Sequence, residues 1–233
     1  MHSPALESAL AAVDTVFDGF TSPGETGCGR CHLPEQTAYL RTPNTRVPPD
    51  VLEMYVFEVA DHFHDHAAVM RRLLPQGARA LADGTLGPVG WRNHGLSEVD
   101  WRLWPAEQAA AVEAFVSAWW EEVLATPEPP HPVEDVFQAC SAVLGSFAPL
   151  LDRWGSGPVA DAHLLRCVEQ WLDDLLSDRS PFLFGNAWDT DVRELQSWLA
   201  HEAPARLESR DYGLATRAGA LALPCPERRD RLY

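Results

Sequence analysis

Lysine is absent from the chain, and all 18 of its basic residues are arginines. They stand against 34 acidic residues, so the 233-residue chain carries a formal net charge of −16. A surface this acidic repels polyphosphates and anionic lipids, which argues against nucleic acid or membrane as a partner. The same charge suits a protein partner with a basic surface.

Long apolar runs are also lacking, because no segment approaches the roughly 18 consecutive apolar residues of a membrane span. The first 20 residues, MHSPALESALAAVDTVFDGF, have neither the positive start nor the continuous apolar stretch of a signal peptide. We therefore expect a cytoplasmic protein. In that compartment its five cysteines are expected to be reduced thiols or metal ligands, not a disulfide framework.

Common catalytic signatures are missing as well. The sequence contains no P-loop, no G-x-G-x-x-G, no G-x-S-x-G and no H-E-x-x-H motif. Adjacent acids such as Asp173 and Asp174 diverge by about 100° on a helix, which is typical of a solvated face. The sequence therefore favours a protein without catalytic activity.

Helical periodicity dominates what is present, and no segment alternates for long enough to predict a strand. We expect an all-α protein of about eight to ten helices. Short joints between them favour stacked antiparallel pairs, in an α-solenoid (HEAT-like) arrangement or an irregular helical bundle. The predicted helices cover residues 4–18, 34–41, 50–63, 65–84, 104–126, 133–146, 148–154, 157–178 and 189–202.

A proline-rich segment, PEPPHP, interrupts the helical pattern at residues 127–132. Such a segment forms a stiff linker. It separates an N-terminal helical half, residues 1–126, from a C-terminal half, residues 133–233. We expect the two halves to pack as one continuous helical domain.

The most specific motif is the pair Cys28-x-x-Cys31, since two thiolates at this spacing can reach one zinc ion. Zinc requires four ligands, and the densest supply of others is the segment DHFHDH, residues 61–66. His62 and His66 are four residues apart, so on one helix they would share a face. This predicts a Cys₂His₂ zinc site, with His32 as the alternative ligand.

Three other interpretations of the motif stay open. The two thiols and the histidines could be ordinary loop and surface residues that bind nothing. C-x-x-C-H also matches c-type haem attachment, but no haem is expected because no export signal is present. A redox pair would require a strand before Cys28, and none is predicted.

Cys140 and Cys167 lie on apolar helix faces and Cys225 lies between prolines, so all three are expected to be structural.

Four segments in this order resemble an uncharacterised group of bacterial all-helical proteins. They are CGRCHLPEQTAYL, PPDVLEMYVFEVADHF, VMRRLLPQGARAL and WPAEQAAAVEAFVSAWW, and the resemblance covers roughly residues 1–155. It implies a C-x-x-C loop followed by an "LPR"-type helix, a helical fold and no established activity. LLPQ at residues 73–76 replaces the group's "FLPR", Arg72 replaces a histidine, and the three histidines of DHFHDH match nothing in the group.

Two functional hypotheses follow. The first is a non-catalytic, acidic interaction module that binds a basic protein, as an immunity or antitoxin protein or a scaffold does, with zinc in a structural role. The second is a metal-dependent enzyme or metal-handling protein centred on Cys28, Cys31, His62 and His66. An open coordination position would favour the second hypothesis, and a closed four-ligand site would favour the first.

Overall fold

The computed structural model describes residues 2–87, 89, 95–182, 189–224 and 227–228, and every regular element among them is a helix. The prediction of an all-α protein with eight to ten helices is confirmed, since these described residues form ten α-helices. They are α1 Pro4–Val16, α2 Pro34–Arg41, α3 Pro49–Val56, α4 His66–Ala82, α5 Ala106–Ala125, α6 Val133–Leu144, α7 Ala148–Leu151, α8 Pro158–Leu176, α9 Asp189–Leu207 and α10 Tyr212–Gly219.

Proline marks many of the helix starts. Helices α1, α2, α3 and α8 each begin at a proline, whose missing N–H is not needed in the first turn. The Ser3 side chain also caps α1 by accepting a hydrogen bond from the Leu6 N–H at 3.3 Å. Gly84 follows the C-terminal end of α4 and has a φ of 70°, a conformation that suits glycine. Local sequence thus sets most of these boundaries.

The predicted helix over residues 50–63 is wrong in its second half. Helix α3 ends at Val56, and the chain then forms a connection with a single 3₁₀ turn at Ala60–His62. The next helix, α4, begins after Asp65, whose side chain caps it by accepting from the Ala68 N–H at 2.9 Å. Val59, whose spacing continues the apolar stripe of this predicted helix, is 54% exposed.

The core runs through both halves of the chain, with α5 at its centre. Helix α5 packs against α1 on one side of the linker and against α6 and α8 on the other. Its Trp120 is fully buried, 5.6 Å from the Phe137 ring and 5.3 Å from the Trp154 ring, centroid to centroid. The same indole N–H donates to the Leu150 carbonyl at 3.0 Å. One hydrophobic core therefore joins the residues before and after the proline-rich segment.

The described helices were also compared with the length and hydropathy that a membrane span requires. None of them combines a sufficient length with a sufficiently apolar sequence to cross a bilayer.

Candidate metal centre

The cysteine pair lies in the loop between α1 and α2, which turns at two glycines. Gly27 and Gly29 have φ values of 66° and 63°. A Cβ atom at Gly27 would lie 2.6 Å from His32 Nδ1, so glycine is needed there both for its conformation and for the close approach of this ring. The backbone N–H of Cys28 donates to the same His32 Nδ1 at 3.4 Å. The loop therefore folds around His32, which is 4% exposed.

A buried carboxylate holds this loop against the connection between α3 and α4. Glu25 is 0% exposed. Its Oε1 accepts from the backbone N–H of Gly27 at 2.8 Å and of Thr26 at 3.1 Å. Across the interface, the backbone N–H groups of His64 and Asp65 donate to Oε2 at 3.1 and 3.2 Å. These bonds bring the cysteine loop beside the 3₁₀ turn that carries His62.

Three of the four predicted zinc ligands are brought together. Ligand atoms of Cys28, Cys31 and His62 all lie within 4.8 Å of one another. Cys28 and His62 are partly buried, and Cys31 is exposed. Donor atoms around one tetrahedral zinc ion are about 3 to 4 Å apart. Small side-chain movements would therefore bring all three onto one ion.

Two more donors surround the same histidine. Ligand atoms of His32, Glu58 and His62 also lie within 4.8 Å of one another. Glu58 Oε1 is 3.0 Å from His62 Nδ1, and Glu58 Oε2 is 3.4 Å from His32 Nε2. Both ring nitrogens are buried, yet neither has the geometry of a hydrogen bond to any described residue. Buried nitrogens without a hydrogen bond, facing one carboxylate, are the arrangement that a metal ion would satisfy.

His66 lies elsewhere. It does not share a helix with His62, because His62 ends the 3₁₀ turn and His66 is the first residue of α4. Its ring stacks on Phe63, with centroids 5.5 Å apart, and its buried Nε2 faces Gly95. Burial lowers the pKa of His66, although the charges of Asp65 and Glu25 oppose this effect. The prediction that His62 and His66 share one helix face is therefore wrong. His66 is also absent from both groups of close donors among the described residues.

The surroundings of Cys28 favour its thiolate. Desolvation by itself raises the pKa of Cys28. Hydrogen bonds outweigh this effect and lower the pKa to about 7; they come from the backbone N–H groups of Arg30 and Cys31 and from the Cys31 thiol, and the charge of His62 adds to them. The Cys31 N–H lies 2.9 Å from Cys28 Sγ. The pKa of Cys31 is raised, first by its hydrogen bond to Cys28. One thiolate is thus formed near neutral pH, which is the ligand form that zinc binds.

The remaining cysteines are far less suited to chemistry. Cys140 and Cys167 are buried among apolar side chains, and burial raises the pKa of both thiols. Both behave as the small hydrophobic residues that were expected. Cys225 lies outside the described residues.

Comparisons with protein-family models, with curated proteins and with solved structures gave no match to this chain. The resemblance to a group of bacterial helical proteins therefore stays a prediction.

Two residues of the site were missed in the sequence. Glu58 is four residues before His62, a spacing that could have been noticed as a pair of ligands in one turn of chain. Glu25 gives no comparable signal, because a single glutamate in a glycine-rich loop is usually solvated. Its role depends on backbone groups about 40 residues later in the sequence.

Proposed function

We propose that the protein binds one zinc ion through Cys28, Cys31 and His62, with Glu58 as the fourth ligand. The observation that carries the proposal is that His62 belongs to two groups of close donor atoms, one with Cys28 and Cys31 and the other with Glu58 and His32. Buried ring nitrogens of His62 and His32 also have no hydrogen bond to any described residue. Thiolate and imidazole together select zinc among the common biological metals. His32, held through its Nδ1 by the Cys28 N–H, is the alternative fourth ligand.

The role of this metal is structural in our proposal. Cys28 and Cys31 come from the loop before α2, whereas Glu58 and His62 come from the connection after α3. One ion would cross-link these two segments. His62 belongs to both groups of close donors, so it would be the shared ligand, and small side-chain movements would bring Cys28, Cys31 and Glu58 around it. A shell made only of protein ligands is typical of structural zinc.

Metal content of the native protein, purified without a metal-affinity tag, tests this proposal. We expect about one zinc per chain, with the metal lost and the melting temperature lowered in Cys28→Ser and His62→Ala. The matched control is His64→Ala, because this side chain is exposed and only its backbone contacts Glu25. A metal-free protein, with variants as stable as the wild type, would contradict the proposal.

The choice between Glu58 and His32 needs a separate comparison. Glu58→Gln should weaken zinc affinity by roughly 10- to 100-fold, and the loss for His32→Gln should be smaller. A competition titration with a chromogenic chelator measures both affinities. If His32→Gln is the weaker binder, the fourth ligand is His32.

We further propose that the zinc-stabilised region binds a basic protein segment, in the manner of an immunity protein, an antitoxin or a scaffold. A depression of about 490 Å³ lies beside the metal centre. Its lining combines the carboxylates of Asp50 and Glu53 with the apolar side chains of Met54 and Phe57, and it also includes Glu58, the proposed zinc ligand. This combination suits a segment that contains both arginine or lysine and apolar residues, and the net charge of −16 would steer it to the surface.

Neutralising this depression tests the partner proposal. The probe is a fluorescent peptide of alternating arginine and leucine, and its affinity is measured by anisotropy at several salt concentrations. Asp50→Asn combined with Glu53→Gln should weaken binding and reduce its dependence on salt. The control with the same change in charge is Glu107→Gln combined with Glu113→Gln, two exposed positions on α5. Equal effects of the two pairs would show that binding does not involve the depression.

A further inference from the structure

A second unusual group lies on α4, where Arg72 is a buried cation. It is 8% exposed. Its guanidinium donates from Nη2 to the backbone carbonyl of Thr45, and its Nε is buried without a hydrogen bond to any described residue. Burial lowers the pKa of Arg72, and its guanidinium forms no ion pair with any residue in the described ranges. A buried charge without a counter-charge is costly, so a feature outside the chain is expected to compensate it.

Arg72 lines a depression of about 360 Å³ between the end of α1, the loop before α3 and the middle of α4. This volume lies in the lower part of the range of about 300 to 1,000 Å³ that small-molecule sites occupy. Part of the wall is rigid, because Gln76 holds the backbone of Val47 by two hydrogen bonds, one to its N–H and one to its carbonyl. The site is therefore a formed concavity with a buried arginine in its wall.

A second arginine lines the same depression. Arg46 is exposed and forms no ion pair with any residue in the described ranges. It also lines an adjoining depression of about 540 Å³, which shares Asp14, Pro75 and Gln76 with the first. Arg46 can therefore turn its guanidinium towards a ligand that Arg72 holds. The chain has almost twice as many acidic as basic residues, so two arginines without an ion pair in one concavity are unusual.

The acids around the depression do not cancel these charges. Asp14 is 2.6 Å from Arg79 Nη2 and is already paired. Asp18 is exposed and also lines the depression. Because Asp14 is paired with Arg79, which is not part of the lining, the two arginines of the concavity outnumber its remaining carboxylate.

We propose that this concavity binds a small anion through its carboxylate or phosphate oxygens. The guanidinium groups of Arg72 and Arg46, two residues that line the depression, would both donate to the anion. Guanidinium groups match the geometry of both kinds of oxygen anion. None of the lining residues is a proposed zinc ligand, so the inference is independent of the metal centre.

The test uses inorganic phosphate and succinate as probes of the two anion types, with sodium chloride at equal ionic strength as the reference. We expect at least one probe to raise the melting temperature saturably beyond the effect of chloride. A response to phosphate alone identifies a phosphate ligand, a response to succinate alone identifies a carboxylate, and a response to both supports a site for either.

Variants locate the effect. Arg46→Ala should weaken the apparent affinity roughly tenfold, as expected for the loss of one charge-assisted hydrogen bond. Arg72→Gln should abolish the response. Because that variant also alters the contact with Thr45, Arg46→Ala keeps the test valid if Arg72→Gln does not fold. Arg193→Ala, an exposed arginine on α9, is the control. The proposal is overturned if neither probe exceeds chloride, or if Arg46→Ala and Arg193→Ala respond alike.

Discussion

Glu25 shows how a single side chain can organise a region without forming an ion pair. Its carboxylate is surrounded by backbone N–H groups from its own loop and from residues 64–65. Burial alone would raise the pKa of Glu25, but these hydrogen bonds outweigh burial and lower it. The position of the cysteine loop relative to His62 therefore depends on a negative charge.

Replacing that charge should be costly. We expect Glu25→Gln to lower the free energy of unfolding by roughly 2 to 4 kcal/mol, because an amide accepts fewer and weaker hydrogen bonds from these N–H groups. Urea denaturation of the zinc-free protein measures the loss. Glu35→Gln, an exposed glutamate in the first turn of α2, is the control and should be nearly neutral. Similar stabilities of the two variants would refute the role assigned to Glu25.

Single buried residues are expected to make the protein less stable as the pH falls. Burial lowers the pKa of His66 and of His131, so the unfolded chain binds protons at these sites more readily than the folded chain. Their contribution to stability is present above the unfolded histidine pKa, about 6.5, and is lost as the pH falls below it. Glu25 has the same sign, and its contribution is lost at more acidic pH.

Thermal melts from pH 7.5 to 5 in the presence of a chelator measure the histidine part. With zinc removed, the melting temperature should fall with pH, and it should fall less in His66→Gln than in the wild type. A His66→Gln profile parallel to that of the wild type would contradict the predicted contribution of His66.

At the scale of elements, a glycine inside α4 and a glycine just after its C-terminal end are predicted to respond to substitution in opposite directions. Gly77 lies inside α4, where a Cβ atom would make an ordinary contact of 3.5 Å with Val56. Gly77→Ala should stabilise the protein by roughly 0.5 to 1 kcal/mol, since alanine is the better helix former. Gly84 has a φ of 70°, and a Cβ there would lie 2.4 Å from Pro130 Cβ. Gly84→Ala should therefore destabilise by roughly 1 to 3 kcal/mol. Chemical denaturation of both variants checks the opposite signs.

Helix boundaries could be predicted where the signal is local. Helices α1 and α2 begin at the predicted proline, and α3 and α8 begin at a proline within one residue of the predicted start. Proline gives a local signal because it fixes its own φ. Residues 57–63 were not predicted correctly, because Val59 and Phe63 continue the apolar spacing of α3 although the chain leaves the helix at Val56. Contacts made by distant groups, above all Glu25 with His64 and Asp65, decide the path there.

The candidate site was predictable to the same extent. The spacing of Cys28 and Cys31 identified half of it directly, and His62 was found because histidines cluster near it. His66 was chosen by assuming that one helix carried both histidines, which the break after α3 rules out. Glu58 and Glu25 were missed because their roles arise from the packing of two connections, which periodicity does not describe.

At the scale of the whole molecule, the aromatic cluster around Trp120 joins the two halves of the sequence. The ring centroids of Phe137 and Trp171 are 5.0 Å apart, and those of Trp154 and Trp198 are 5.3 Å apart. The cluster therefore extends from α5 to α9. We expect a single cooperative unfolding transition, with equal calorimetric and van't Hoff enthalpies. Trp120→Ala should lower the stability by roughly 3 to 5 kcal/mol and leave the transition single. Two separate transitions would instead support independent halves, residues 1–126 and 133–233.

The hydrogen bonds that Glu25 accepts from two segments would affect how quickly the proposed site exchanges zinc. In a zinc finger the metal must organise the chain, so release of the ion and unfolding accompany each other. Here hydrogen bonds that involve no metal already place the thiols beside the imidazole. Zinc could then enter and leave a site that keeps its shape, and the small ordering cost would favour fast loading from a dilute metal pool.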